Sequence, residues 1–190
     1  MAKGSTFERL ICTQLSLWWS HNESDDAFWR SSGSGARATS RFRRKGILTA
    51  GQDADLTAVD ERGKPFTDLF AIEMKRGYKS WSVMDAVDKG ARAASQTIED
   101  FLAQACEAAE RKNVFPVLIA QKDRHKAIIM VPMEAVNLLQ PHIGNVLTRL
   151  DGPTYIQFIY QGRKWILHTL DYFLSVVTPE AIIACQTKNQ

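Results

Sequence analysis

Two residues near the middle of the chain, Glu73 and Lys75, have types and a spacing that suit phosphodiester hydrolysis. They end a hydrophobic run, and residues two apart in a β-strand project from the same face, so both side chains point together. The carboxylate can help to hold Mg²⁺, while the ammonium can orient water and neutralise charge on a phosphate. Because Glu-x-Lys also occurs as a solvated pair on edge strands, further residues are needed to support this interpretation.

Two more carboxylates are candidates for the same centre. Asp55 begins the preceding predicted strand, and if the two strands pair as a hairpin, Asp55 and Glu73 converge and repel each other unless a cation binds between them. Glu8 has two interpretations. Ser5-x-x-Glu8 is typical of a capping box, but Glu8 also shares a helical face with apolar residues that would aim it at the sheet, namely Ile11, Leu15 and Trp19.

A basic segment separates these two parts of the sequence. Between residues 30 and 45 there are six cations and no acid: Arg30, Arg37, Arg41, Arg43, Arg44 and Lys45. Such a concentration indicates a polyanionic partner, most often nucleic acid. The alternative is a solvated loop whose charge serves solubility.

The composition is that of a globular protein. With 190 residues, 45% hydrophobic and 24% charged, the chain is expected to form one domain over 1–190. Its apolar runs are far shorter than the ~20 residues of a membrane span, and its beginning lacks the apolar core of a signal peptide, so we expect a cytoplasmic protein without a membrane partner. Three scattered cysteines and four scattered histidines favour neither a disulfide framework nor zinc.

The elements that would position these residues alternate between helix and strand. Helices are predicted over 6–20, 95–111 and 133–139, and strands over 55–59, 69–75, 114–121, 127–131, 155–160 and 164–167. The first helix has an apolar face of Phe7, Leu10, Ile11, Leu15 and Trp18. The alternation predicts the α/β class, with a mixed central β-sheet flanked by helices. Residues 133–190 would complete the core or build an interface.

Four short motifs, taken in order, resemble those of PD-(D/E)XK nucleases. They are Lys3-Gly4-Ser5-x-x-Glu8-Arg9, Arg30-Ser31-Ser32-Gly33-Ser34-Gly35, Asp55-Leu56 and Ile72-Glu73-Met74-Lys75. Together they cover roughly residues 3–80, and the pattern is most similar to archaeal Holliday-junction resolvases and their phage-borne relatives. The resemblance implies a restriction-endonuclease-like core.

The resemblance also implies roles for individual residues. Asp55, Glu73 and the Met74 carbonyl would bind Mg²⁺, with Mn²⁺ as a substitute, and Glu8 would act directly or through water. Lys75 would position the attacking water, and Ser32 or Ser34 would contact the scissile phosphate. The sequence departs from the family pattern because no proline precedes Asp55, which leaves Asp53 as an alternative ligand. The basic stretch 37–45 is longer than a compact resolvase requires.

We therefore expect a Mg²⁺-dependent DNA endonuclease, with branched DNA as its substrate and a homodimer as its assembly. Backbone phosphates would be bound by Arg30, Arg37, Arg41, Arg43, Arg44, Lys45 and Arg76, and Trp29 and Trp81 are candidates for base stacking. Three alternatives stay open: a restriction-like or nicking endonuclease on duplex DNA, a non-catalytic DNA-binding protein with the same fold, and an α/β domain whose basic loop is only a charged surface.

Overall fold

The computed structural model of the chain describes residues 3–31, 54–77, 81–82, 97–149, 152–153 and 155–186. The described elements, in chain order, are α1 (Lys3–Trp19), β1 (Phe28–Arg30), β2 (Leu56–Ala58), a 3-10 turn (Glu61–Gly63), α2 (Lys64–Thr67), β3 (Phe70–Arg76), α3 (Ile98–Lys112), β4 (Phe115–Gln121), β5 (Ile128–Pro132), α4 (Met133–Ile143), β6 (Ile156–Tyr160), β7 (Arg163–Thr169), α5 (Leu170–Val176) and α6 (Pro179–Gln186). The predicted helices and strands within these ranges are all present, with ends shifted by a few residues.

The five-stranded sheet of the described residues has the order β3-β4-β5-β7-β6. β3 and β4 run parallel, with α3 in the connection between them, and the other neighbours are antiparallel. This arrangement is a mixed α/β sheet flanked by helices, so the predicted fold class is confirmed. A parallel neighbour explains why the first three residues of β3, Phe70–Ile72, are apolar and buried, because such strands are covered on both faces.

Each face of the sheet has its own hydrophobic cluster. On one side, Phe101 and Leu102 of α3 pack with Leu118 and Met130 of the sheet. On the other side, buried residues of α1 pack with alternate residues of the same strands, among them Phe7, Ile11, Ile72, Met74, Val117 and Ile119. The C-terminal part of the chain adds to both clusters through β7 and its flanking helices.

Helix α1 differs from the prediction in two respects. It begins at Lys3, so Ser5 lies inside the helix and the capping-box interpretation of Glu8 is wrong. Leu10 was placed on the apolar face but is 57% exposed. The buried face is formed by residues such as Phe7, Ile11 and Leu15 together with Cys12 and Ser16, so it is centred on the side of Cys12 and excludes Leu10.

The predicted hairpin between β2 and β3 is wrong. β2 pairs antiparallel with β1, in the register Phe28↔Ala58, and the ladder partner of β3 is β4. The connection between the two strands is not a tight turn but contains the 3-10 turn and α2, so β3 does not fold back directly on β2. Asp55 nevertheless contacts β3.

No helix among the described residues is long and apolar enough to cross a membrane.

A close approach at Gly63 holds the β1–β2 pair against the 3-10 turn. A Cβ at this position would lie 2.9 Å from the Ala27 carbonyl oxygen and 3.0 Å from both Ala58 Cβ and Phe28 Cε1. We therefore expect Gly63→Ala to lower the free energy of unfolding by about 1–3 kcal/mol, the usual cost of overpacking. Urea denaturation of the wild type and of Gly63→Ala would measure this difference in free energy of unfolding.

Gly152→Ala is the matched control, because a Cβ there meets nothing nearer than 3.4 Å. Equal stability of the two variants would contradict the close approach at Gly63.

Candidate active site

Asp55 is attached to the outer edge of β3 by two hydrogen bonds. Its backbone N–H donates to the Ile72 carbonyl at 2.9 Å, and its carboxylate oxygen Oδ2 accepts from the Met74 N–H at 2.7 Å. Both bonds use the backbone groups of β3 that face away from β4. The carboxylate is thereby fixed between the two strand residues that flank Glu73, and the side chain is only 6% exposed.

Glu73 and Lys75 point to the same face of β3, as predicted. The Lys75 Nζ lies 2.5 Å from Glu73 Oε1, with side chains 15% and 12% exposed. The ammonium also lies 5.9 Å from the centre of the Phe101 ring on α3. Burial of this kind weakens solvent screening, so the pair interacts more strongly than a surface ion pair would.

Glu8 approaches the same centre from α1. Its carboxylate Oε2 lies 3.7 Å from Arg30 Nη1, and its side chain is 16% exposed. Cys12 lies one turn further along α1. Burial raises the pKa of its thiol to about 12, and the negative charges of Glu8 and Asp55 contribute to this rise. α1 therefore carries Glu8 to the same side of the molecule as Asp55.

Burial and the neighbouring charges determine the electrostatics of Asp55. Burial is the largest cause that raises its pKa, to about 7, and the negative charge of Glu73 is the second. The Met74 hydrogen bond and the Lys75 ammonium lower the pKa but do not compensate, and Glu8 raises it slightly. A cation near Asp55 and Glu73 would remove this penalty.

The donors fit a hard divalent cation. Mg²⁺ is usually bound by one or two carboxylates, with water and substrate phosphate completing its shell, and Asp55 and Glu73 are two such carboxylates next to the Met74 backbone. Within the described ranges, no three His, Cys, Asp or Glu side chains form a group that could hold a metal ion by themselves. The direct or indirect participation of Glu8 stays a prediction.

Two contacts were missed by the sequence analysis. Ser31 is buried. Its N–H donates to the Asp55 carbonyl at 2.9 Å, and its hydroxyl donates to the Ala54 carbonyl at 2.5 Å. These two bonds connect the end of β1 to the segment before β2. Ser32 and Ser34, the serines predicted to contact the scissile phosphate, lie outside the described residues. The Glu8–Arg30 ion pair was also missed, although the alternation in β1, with buried Phe28 two residues before Arg30, could have placed Arg30 on the inner face.

The other predicted residues are distributed as follows. Arg76 lies on the opposite face of β3 from Lys75, with its guanidinium 5.8 Å from the Phe7 ring centre and its Nε 3.8 Å from Asp123 Oδ1. Trp81 is buried in the cluster beside α3, whereas Trp29 is 55% exposed. Several residues lie outside the described ranges, namely Ser32, Ser34, Arg37, Arg41, Arg43, Arg44, Lys45 and Asp53.

A family model described as "Phage putative PDDEXK endonuclease" matches residues 1–184. Searches of curated proteins and of solved structures found no match.

The raised pKa of Asp55 predicts a pH-dependent gain in stability for Asp55→Asn. The wild-type carboxyl favours folding while protonated, and that contribution is lost as the pH rises from about 4, the unfolded value, through about 7. The asparagine cannot ionise, and its oxygen can still accept from Met74. In metal-free buffer at pH 8, we expect the variant to exceed the wild type by at least ~1 kcal/mol in free energy of unfolding, with the difference shrinking towards pH 4.

Asp68→Asn, at an exposed position after α2, serves as the control and should show no such trend. Added Mg²⁺ should stabilise the wild type more than Asp55→Asn, as followed by thermal unfolding. A difference between wild type and Asp55→Asn that is independent of pH would disprove the assigned cause.

Proposed function

Because the chain belongs to the phage PDDEXK endonuclease family and has the restriction-endonuclease-like α/β core, we propose that it hydrolyses DNA phosphodiester bonds with Mg²⁺ at the centre formed by Asp55, Glu73 and Lys75. The observation that carries the proposal is the buried Asp55 carboxylate, fixed on β3 beside the Glu73–Lys75 pair. Mn²⁺ is expected to substitute for Mg²⁺.

The proposed roles of the residues are those that the family resemblance implies, and they are supported by the positions of the side chains. Asp55, Glu73 and the Met74 carbonyl would hold the ion, which when bound supplies a Lewis acid that polarises the phosphoryl oxygens. Lys75, which contacts Glu73 at 2.5 Å, would orient the attacking water and balance the charge that develops on the phosphate. Glu8 would complete the carboxylate set, directly or through water, while Arg30 holds its side chain in place.

The hydrolysis adds one water across the phosphodiester. The water oxygen forms a bond to phosphorus, the bond to the 3′ oxygen breaks, and the proton released by the water is taken up by the leaving oxygen. As the resemblance to this superfamily implies, the products would carry a 5′-phosphate and a 3′-hydroxyl. Arg30 and Arg76 flank the centre and would contact backbone phosphates, together with the basic residues and serines of 32–45.

Branched DNA is the proposed substrate, on the resemblance to Holliday-junction resolvases, and the second candidate is duplex DNA cut in a restriction-like or nicking manner. Trp29 favours a substrate with accessible bases, since exposed aromatic side chains can stack on them. Trp29 is the most exposed of the five tryptophans, so quenching of fluorescence by single-stranded but not by duplex DNA would support stacking.

Cleavage assays on matched linear, nicked and four-way-junction DNA test the proposal. With Mg²⁺ the wild type should cleave, and Lys75→Ala and Glu73→Gln should each lose at least about a hundredfold in rate. The chain offers a matched control in the exposed Lys64–Glu61 pair, whose contact is also 2.5 Å; Lys64→Ala and Glu61→Gln should cleave at the wild-type rate.

The outcomes separate the alternatives. Preference for the junction supports a resolvase, and equal cleavage of linear duplex supports a restriction-like enzyme. DNA binding without cleavage by any protein would leave a non-catalytic DNA-binding protein. If no salt-sensitive DNA binding is found, the basic segment is only a charged surface.

A homodimer is proposed as the assembly, with β6 as its contact. β6 is the last strand of the described sheet and has the uncharged sequence Ile156-Gln157-Phe158-Ile159-Tyr160, with Ile156 39% and Ile159 66% exposed. Edge strands of monomers usually carry charges or prolines that block pairing with another chain. An antiparallel pairing of two β6 strands about a two-fold axis would cover this edge.

Sedimentation analysis should therefore show a dimer for the wild type and a monomer for Ile159→Lys. Ile183→Lys on α6, where the residue is 43% exposed, is the control and should remain dimeric. A monomeric wild type would refute the assembly and leave the proposed chemistry unaffected.

A further inference from the structure

The turn between β4 and β5 begins beside the candidate active site. Lys75 pairs in register with Ala120 of β4, and Ala120 pairs with Ile128 of β5, so the three residues lie at one level across the sheet. The chain between Ala120 and Ile128 therefore leaves the sheet where the strand of Glu73 and Lys75 ends. Since neighbouring strands are about 4.8 Å apart, the turn lies roughly 10–15 Å from Lys75, or about three to four nucleotides along a DNA strand.

The turn is basic and exposed. Residues 122–126 read Lys-Asp-Arg-His-Lys, and Arg124, His125 and Lys126 are exposed; we call this segment the basic turn. The one acid, Asp123, faces Arg76 of β3 at 3.8 Å. Lys126 lies 3.5 Å from Asp171, but with side chains 73% and 62% exposed this pair is weak and a phosphate can replace the carboxylate.

The backbone of the basic turn is held rigidly. His125 N–H donates to the Lys122 carbonyl at 3.0 Å, and the Gln121 side-chain amide donates to the His125 carbonyl at 2.8 Å. The Lys122 side-chain ammonium donates to the Trp81 carbonyl at 3.3 Å. Arg124 adopts a left-handed conformation, φ 67°, which a non-glycine residue adopts only at some cost. These hydrogen bonds hold the backbone that carries the side chains of Arg124 and Lys126.

A groove joins the basic turn to α1. It has a volume of about 420 Å³, and its walls combine Phe7, Leu10 and Gln14 of α1 with Arg124 and Lys126 of the turn. Phe7 contacts Arg76, the residue that follows Lys75 on β3, so the groove lies next to the end of β3. The carboxylate of Asp171 also lines the groove and pairs with Lys126. The amide, cationic and apolar groups of this concave surface suit the phosphates and sugars of a nucleic-acid backbone.

We propose that the basic turn is a binding site for the DNA backbone, where Arg124 and Lys126 contact phosphates a few nucleotides from the bond that is cut. The inference rests on the proposed nuclease function and extends it, since it gives the path of the substrate beyond the active centre. Charge complementarity identifies the partner, because a polyanion is the ligand that an exposed cationic turn beside a phosphodiester-cleaving site would bind.

The test compares two double variants in binding to a short fluorescein-labelled duplex, by anisotropy in metal-free buffer at several salt concentrations. In Arg124→Asn/Lys126→Gln, asparagine suits the left-handed position. In Lys64→Gln/Lys164→Gln, two exposed lysines are removed at the end of the sheet where β3 begins. We expect the turn variant to bind about tenfold more weakly, with a salt slope smaller by about two, and the control to match the wild type.

Cleavage kinetics with Mg²⁺ provide a second readout. For the turn variant, KM should rise while kcat stays at the wild-type value, because Asp55, Glu73 and Lys75 are untouched. Wild-type affinity and salt slope in the turn variant, or equal losses in both double variants, would overturn the inference. A wild type that binds DNA but cleaves none would refute the nuclease function instead, and the binding comparison would still decide the role of the basic turn.

Discussion

The structure of the site depends on the attachment of one buried carboxylate to the backbone of a strand. Asp55 uses its N–H and its Oδ2 to bond two backbone groups of β3, the Ile72 carbonyl and the Met74 N–H. Unpaired backbone groups at a buried edge are costly, so these bonds favour a single position of Asp55. The same position buries the carboxylate next to Glu73, and burial together with the charge of Glu73 raises the pKa of Asp55.

The surrounding elements each contribute to this arrangement. β1 pairs with β2, and Ser31 at its end binds the Asp55 carbonyl. Helix α1 covers one face of the sheet and carries Glu8, while α3 covers the other and supplies Phe101 beneath Lys75. The two faces of β3 therefore differ: Lys75 lies with Glu73 on the face covered by α3, and Arg76 contacts Phe7 of α1 on the other face.

Sequence reasoning recovered what depends on local periodicity. The alternation of two in β3 placed Glu73 and Lys75 together, and the amphipathic pattern identified α1 and α3. Sequence reasoning failed where a strand pairs with a segment that is distant in the sequence. β2 pairs with β1, and β1 is too short to be detected from its own pattern. The assignment of Leu10 to the buried face was wrong because the apolar residues of α1 span a wider arc of the helix than the face that is buried. The pairing of Arg30 with Glu8 likewise depends on tertiary contact between α1 and β1.

The parallel pairing of β3 with β4 has a consequence for how the protein folds. Residues 70–76 find their partner at 115–121, and β5 finds its central partner only at 163–169, so closure of the sheet relies on contacts between segments far apart in the chain. Loop-closure entropy must be paid before such contacts contribute, which makes folding slow relative to a helical protein of this size. On the ribosome, β5 acquires its second neighbour only after most of the chain has been synthesised, so the completed sheet forms late in translation.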